Sequence, residues 1–176
     1  MSKAKLKKEL DQLDAAQLRE LISNIYDSSK EAKAYLEFFL EPDAEALLER
    51  KTKEVIKEIG RSKHGYSKTR STVIRKAISE LTAYKIGDSY VMRLMITTIE
   101  NLVLTEKYFH FGTSQENCLS RLILDYLRLA FNAGEEKKAL EFLRKLAEER
   151  EYSTPMMGRH LLTWTNQALA ELNHPR

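Results

Sequence analysis

Apolar residues recur at spacings of three and four along almost the whole chain, the signature of amphipathic helices. Leu6, Leu10 and Leu13 predict a short first helix. Asp14 followed by Gln17 forms a capping-box pattern ahead of Leu18, Leu21, Ile22 and Ile25. Ser28 and Glu31 repeat it before Tyr35, Phe38 and Phe39. Pro42-Asp43 predicts the start of a fourth helix, whose stripe of Leu47, Leu48, Val55, Ile56 and Ile59 runs to Gly60. Further on, Val73, Ile74, Ala77, Ile78, Leu81 and Tyr84 share one helical face.

Gly87-Asp88 breaks the chain and caps YVMRLMITTIENLVL, a segment apolar almost all round and therefore expected to be the most buried helix. The aromatic connector KYFHFG is expected to plug the end of a helical core; the alternative is that Tyr108, Phe109, His110 and Phe111 stack a base or line a pocket. Thr113 and Glu116 suggest another capping box ahead of Leu119, Leu122, Ile123, Tyr126 and Leu127. Asn132-Ala133-Gly134 predicts a turn into a helix carrying Ala139, Leu140, Leu143 and Leu146. Thr154-Pro155 opens a last helix with Leu161, Trp164, Ala168 and Leu172 on one side. No segment alternates convincingly at period two, so no sheet is predicted. The expected fold is all-α: a single domain over 1–176, an irregular bundle of about eight or nine helices in helical hairpins. A short α-solenoid is the alternative, because AFNAGEEKKALEFL resembles the turn and second helix of a tetratricopeptide unit.

Composition agrees. Of the 176 residues, 43% are hydrophobic, enough for a core, while the 3 prolines and 6 glycines are few. Cys118 is the only cysteine, which excludes an internal disulfide and suits a reducing compartment. The opening MSKAKLKKEL lacks the apolar segment of a secretory signal, and no apolar run approaches a membrane span. A cytoplasmic location without a membrane partner is expected.

SKAKLKKELDQLDAAQLRELISNIYDSSKEAKAYLEFFLEPD and GYSKTRSTVIRKAISEL resemble an uncharacterised all-helical bacterial family classed as a domain of unknown function. The resemblance implies a helical fold and a bacterial source. It brings no activity, cofactor or site residue.

One stretch departs from the finely mixed charge. Between Glu58 and Glu80 there is no acidic residue, and 61–76 carries six lysines and arginines. The formal charge is +3, so the rest of the chain is net acidic. Arg61, Lys63, His64, Tyr66, Lys68, Arg70, Arg75 and Lys76 are therefore the candidate anion or nucleic-acid site. Most other helices start with acids, as a helix dipole favours. The fifth starts with Lys68, Arg70 and the hydroxyls of Ser67, Thr69, Ser71 and Thr72. Cations there are unfavourable unless an anion sits among them. That anion is either a bound phosphate or an internal carboxylate such as Glu148, Glu149 or Glu151.

Other chemistry is weaker. GRSKHGYS has the glycine spacing of a phosphate-binding loop, but Tyr66 stands where lysine is needed and no strand precedes it. His64, His110, His160 and His174 share no ligand spacing, and the Glu171/His174 pair has no counterpart of the kind a di-metal bundle requires, so no metal is expected. Cys118 beside Leu119 reads as a small buried or half-buried residue. The first two helices look like a helix-turn-helix, but Glu9, Asp11, Asp14 and Glu20 would repel phosphates. The chain is thus expected to be a non-enzymatic cytoplasmic protein with no cofactor, using helical-hairpin surfaces to bind another protein. The alternative is a nucleic-acid or phosphorylated-ligand binder working through 61–76, with an enzyme of unknown type third.

Overall fold

A computed structural model describes residues 2–151 and 154–173. Nine helices form among them: α1 (Lys3–Leu10), α2 (Ala15–Ser28), α3 (Lys30–Leu40), α4 (Ala44–Ile59), α5 (Ser71–Ala83), α6 (Asp88–Glu106), α7 (Thr113–Asn132), α8 (Glu136–Glu151) and α9 (Pro155–Asn173). The fold is all-α, as the periodicity predicts. The expected absence of any sheet is corrected by a small hairpin: β1 (Ser62–Lys63) pairs antiparallel with β2 (Tyr66–Ser67). The chain divides into two compact units, Met1–Asp43 and Ala44–Arg176.

In the first unit, the Asp14 carboxylate accepts hydrogen bonds from the Ala16 and Gln17 backbone at 2.8 Å, while Gln17 accepts from Asp14 N–H at 2.9 Å. The predicted capping box of α2 is therefore present. Leu13 lies in the turn after α1 rather than on it. The cap of α3 is Ser29, not Ser28. Ser28 Oγ donates to Ile25 O inside α2 (3.2 Å), leaving Ser29 to turn extended (φ −138°) and accept from Ala32 N–H. Helices α2 and α3 pack together, with Tyr26 Oη donating to Glu37 at 3.0 Å and the Lys33 ammonium over the Tyr26 ring. None of the residues in these three helices is buried.

In the second unit, α6 packs on α4, α5 and α7, and α7 in turn packs on α8 and α9. Leu94, Ile99 and Leu102 of α6 and Leu119, Ile123 and Leu127 of α7 are wholly buried, each contributing about 2 kcal/mol of hydrophobic stabilisation. Helix α6 is central as expected, though it buries eight residues and α7 equally many. Ile56 leaves the predicted α4 stripe and is exposed. Its place on the inner face is shared instead by two charged residues, Lys51 and Glu58. Lys51 bonds Glu54 (2.9 Å) and Glu80, tying α4 to α5. Burial opposes its charge, but the hydrogen bonds it donates to Glu80 and Glu54 win, and its pKa is raised. A bidentate pair from Arg93 to Glu45 (2.6 and 3.1 Å) joins α6 to α4.

The cap of α7 is Gly112 rather than Thr113. Thr113 is already helical, and it is Gln115, not Glu116, that reaches back to accept from Gly112 N–H at 3.1 Å.

Candidate functional site

The basic stretch is built as a hairpin followed by an extended strap. His64 (φ 52°) and Gly65 (φ 78°) both take positive φ, as the two central residues of a type I′ hairpin turn must. Lys63 pairs with Tyr66, placing both side chains on one face. Burial then alternates. Tyr66, Lys68 and Arg70 are exposed, while Ser67 and Thr69 are 5% exposed.

The inward hydroxyls anchor the strap. Ser67 Oγ and Thr69 Oγ1 are 3.0 Å apart, and Thr69 Oγ1 donates to Ile59 O at the end of α4 (3.2 Å). Gln115 Nε2 donates to Thr69 O at 3.1 Å while its oxygen holds Gly112. One amide thus locks the strap to the start of α7. On the other side the hairpin pairs with the connector between α6 and α7: Ser67 N–H donates to His110 O and His110 N–H to Gly65 O, at 3.0 and 2.9 Å. Tyr66 and His110 are partners in this parallel bridge, their ring centres 5.7 Å apart. The connector does not simply plug the core. Phe109 and Phe111 are half-buried, whereas Tyr108 and His110 are exposed.

The anion beside the basic stretch is Glu58, not Glu148 or Glu149; the side chain of Glu151 lies outside the described residues. Glu58 Oε1 accepts from Arg70 N–H (2.9 Å), Arg70 Nε (3.0 Å) and Arg61 Nη1 (3.0 Å), and Oε2 accepts from Arg70 Nη2 (2.8 Å). Its side chain is 5% exposed. The Arg70 guanidinium, helped by the Arg70 and Arg61 N–H groups, overcomes burial and holds its pKa at about 2. Arg70, the residue preceding α5, caps nothing with its own side chain; the Glu58 carboxylate takes its backbone N–H instead.

The eight candidate residues therefore fall into distinct groups. Arg61 and Arg70 are engaged by Glu58, and Lys76 by Glu80 at 3.7 Å. Lys63, His64 and Lys68 are exposed and make no side-chain hydrogen bond or ion pair among the described residues, and Tyr66 is 56% exposed. Arg75 is turned elsewhere. With Cys118, Ile74, Met95 and Leu122 it lines an open, mostly apolar groove of about 500 Å³ between α5, α6 and α7. Cys118 is buried there, and burial pushes its thiol pKa up against the pull of Arg75.

A second surface lies on the first unit. Ile22, Tyr26, Leu36, Phe39 and Leu40 line an open groove of about 500 Å³ between α2 and α3. Phe39 and Leu40 are 70% and 75% exposed, and Ile22 and Ile25 are also exposed. The sequence shows this apolar stripe but not that its end is left open. Among the described residues, no three His, Cys, Asp or Glu side chains converge to hold a metal. His174 of the Glu171/His174 pair lies outside the described residues, and Glu171 accepts from Arg128 at 3.2 Å. No described helix is long and apolar enough to cross a membrane.

The structure thus defines an all-helical protein with a polar-anchored basic hairpin and an open apolar groove. The chain belongs to the family of unknown function DUF6155, whose model matches residues 1–128, covering α1 to α6 and most of α7. No curated protein and no solved structure matches it.

Proposed function

We propose that this is a cytoplasmic, non-enzymatic interaction protein of bacterial origin, whose α2–α3 hairpin receives an amphipathic segment of another protein. The observation that carries this reading is the uncovered groove ending in Phe39 and Leu40. Large apolar side chains scattered singly are normal on a surface, but a contiguous groove of them is a docking feature. Covering Phe39 and Leu40 completely is worth about 2 kcal/mol each, enough to anchor a helix laid in the groove. Charge narrows the partner. Residues 14–43 hold seven acids against three bases, so the matching segment has an apolar stripe flanked by lysine or arginine.

The test is affinity capture with the wild type and with the double variant Phe39→Glu, Leu40→Glu. Both residues are exposed, so the variant should keep its helical content and melting temperature. It should lose a stoichiometric partner that the wild type retains. Retention of that partner by the variant would refute the reading.

A further inference from the structure

We propose that the outer face of the hairpin and strap, together with the connector at 107–110, is a platform for single-stranded nucleic acid. This does not rest on the α2–α3 groove, which belongs to the other compact unit.

Three observations carry it. The first is charge. With Glu58 occupied by Arg61 and Arg70, Lys63, Lys68 and Lys107 are exposed cations here that have no carboxylate partner among the described residues. The second is the exposed aromatic side chains that alternate with them along the chain. Tyr66 is 56% and Tyr108 65% exposed, His110 lies against Tyr66, and the Lys107 ammonium sits 5.9 Å from the Tyr108 ring centre. Exposed aromatics among lysines are how proteins hold an unpaired strand, because phosphates meet the cations while base faces stack on the rings.

The third is rigidity. A solvated basic linker needs no internal anchoring, yet this strap is fixed from beneath by Ser67, Thr69 and Gln115 and from the side by His110. Its backbone is ordered before any ligand arrives, so binding does not have to order it. The anchoring also fixes which side chains face outward: Ser67 and Thr69 are spent inward, and Tyr66 and Lys68 are left for the solvent.

A duplex does not suit this surface. The hairpin arms are two residues long, with nothing to lay along a groove, and stacked base pairs hide the faces that Tyr66 and Tyr108 would cover.

The experiment is fluorescence anisotropy with labelled 12-nucleotide RNA and DNA strands and the corresponding duplex, over a salt series starting near 50 mM. Three lysines on a single strand should give a slope of log affinity against log salt of about −2. Lys63→Ala with Lys68→Ala should flatten it to about −0.7. Tyr66→Ala should weaken strand binding by roughly 5- to 100-fold, and Tyr66→Phe, which keeps the ring, should restore it. These side chains are exposed, so thermal melts of the variants should match the wild type. Absence of saturable strand binding at the lowest salt overturns the proposal. So does equal affinity for the duplex, or strand affinity unmoved by Tyr66→Ala.

Discussion

The Glu58 carboxylate accepts the backbone N–H and two guanidinium N–H groups of Arg70, twelve residues further along the chain. This contact closes the loop between α4 and α5, and with Arg61 on the same carboxylate it offsets one of the two arginine charges there. It also places a negative charge at the start of a helix whose own first turn has no acid.

The contact makes stability depend on acid. Glu58 has a folded-state pKa of about 2, below its ordinary 4.5. Its contribution is therefore complete above about pH 4.5 and disappears as pH falls through 2. Glu58→Gln should cost about 2 kcal/mol at neutral pH, the loss of charge-assisted hydrogen bonds from half-solvated arginines. Urea denaturation of both proteins across pH 7 to about pH 2 should show the difference shrinking toward zero. A constant difference would mean the carboxylate is not held in its charged form.

Lys68 and Arg70 should behave oppositely, although they are near neighbours with the same charge. Arg70→Ala should lower stability measurably, because Glu58 is buried and keeps only Arg61 and one backbone N–H. Lys68→Ala should leave the stability measured by urea denaturation unchanged within about 0.5 kcal/mol. Equal losses would show that Lys68 also has an internal partner.

Lys51 should be the most sensitive charged residue in α4. It is 9% exposed and holds Glu80 of α5 as well as Glu54. Lys51→Ala removes the cation from a half-buried Glu80 and should cost about 2–3 kcal/mol, read from chemical denaturation. A loss near that of Lys53→Ala, an exposed control on the same helix, would contradict the clamp.

These two buried charges mark where the sequence was legible and where it was not. Local signals read well: Asp14 and Gln17 sit three residues apart and cap α2 as their spacing implies. The caps of α3 and α7 fall one residue from Ser28 and Thr113 because neighbours offer better geometry, Ser29 by turning extended and Gly112 by meeting Gln115. The identity of the internal anion depended on tertiary contact. Its trace was nonetheless present, since Lys51 and Glu58 occupy positions of the α4 stripe where apolar residues belong. The hairpin escaped for a related reason. Tyr66 to Arg70 alternates at period two, but its inward side is Ser67 and Thr69, so hydrophobic periodicity does not register it.

Cys118 should react slowly with a thiol reagent in the native protein and quickly in denaturant. It is 5% exposed, and burial raises its thiol pKa, which lowers the thiolate fraction at neutral pH. Native labelling as fast as that of a free thiol would show that the helices around Cys118 part far enough to expose it.

The central claim is that the α2–α3 groove is covered by another protein, and a photo-crosslinking residue placed at Phe39 in cells tests it most directly. The account predicts one predominant adduct with a different protein, its crosslinked segment amphipathic with lysine or arginine beside the apolar stripe. The Leu40→Glu background should remove the adduct. Crosslinks confined to this chain, within one copy or between two, would contradict it.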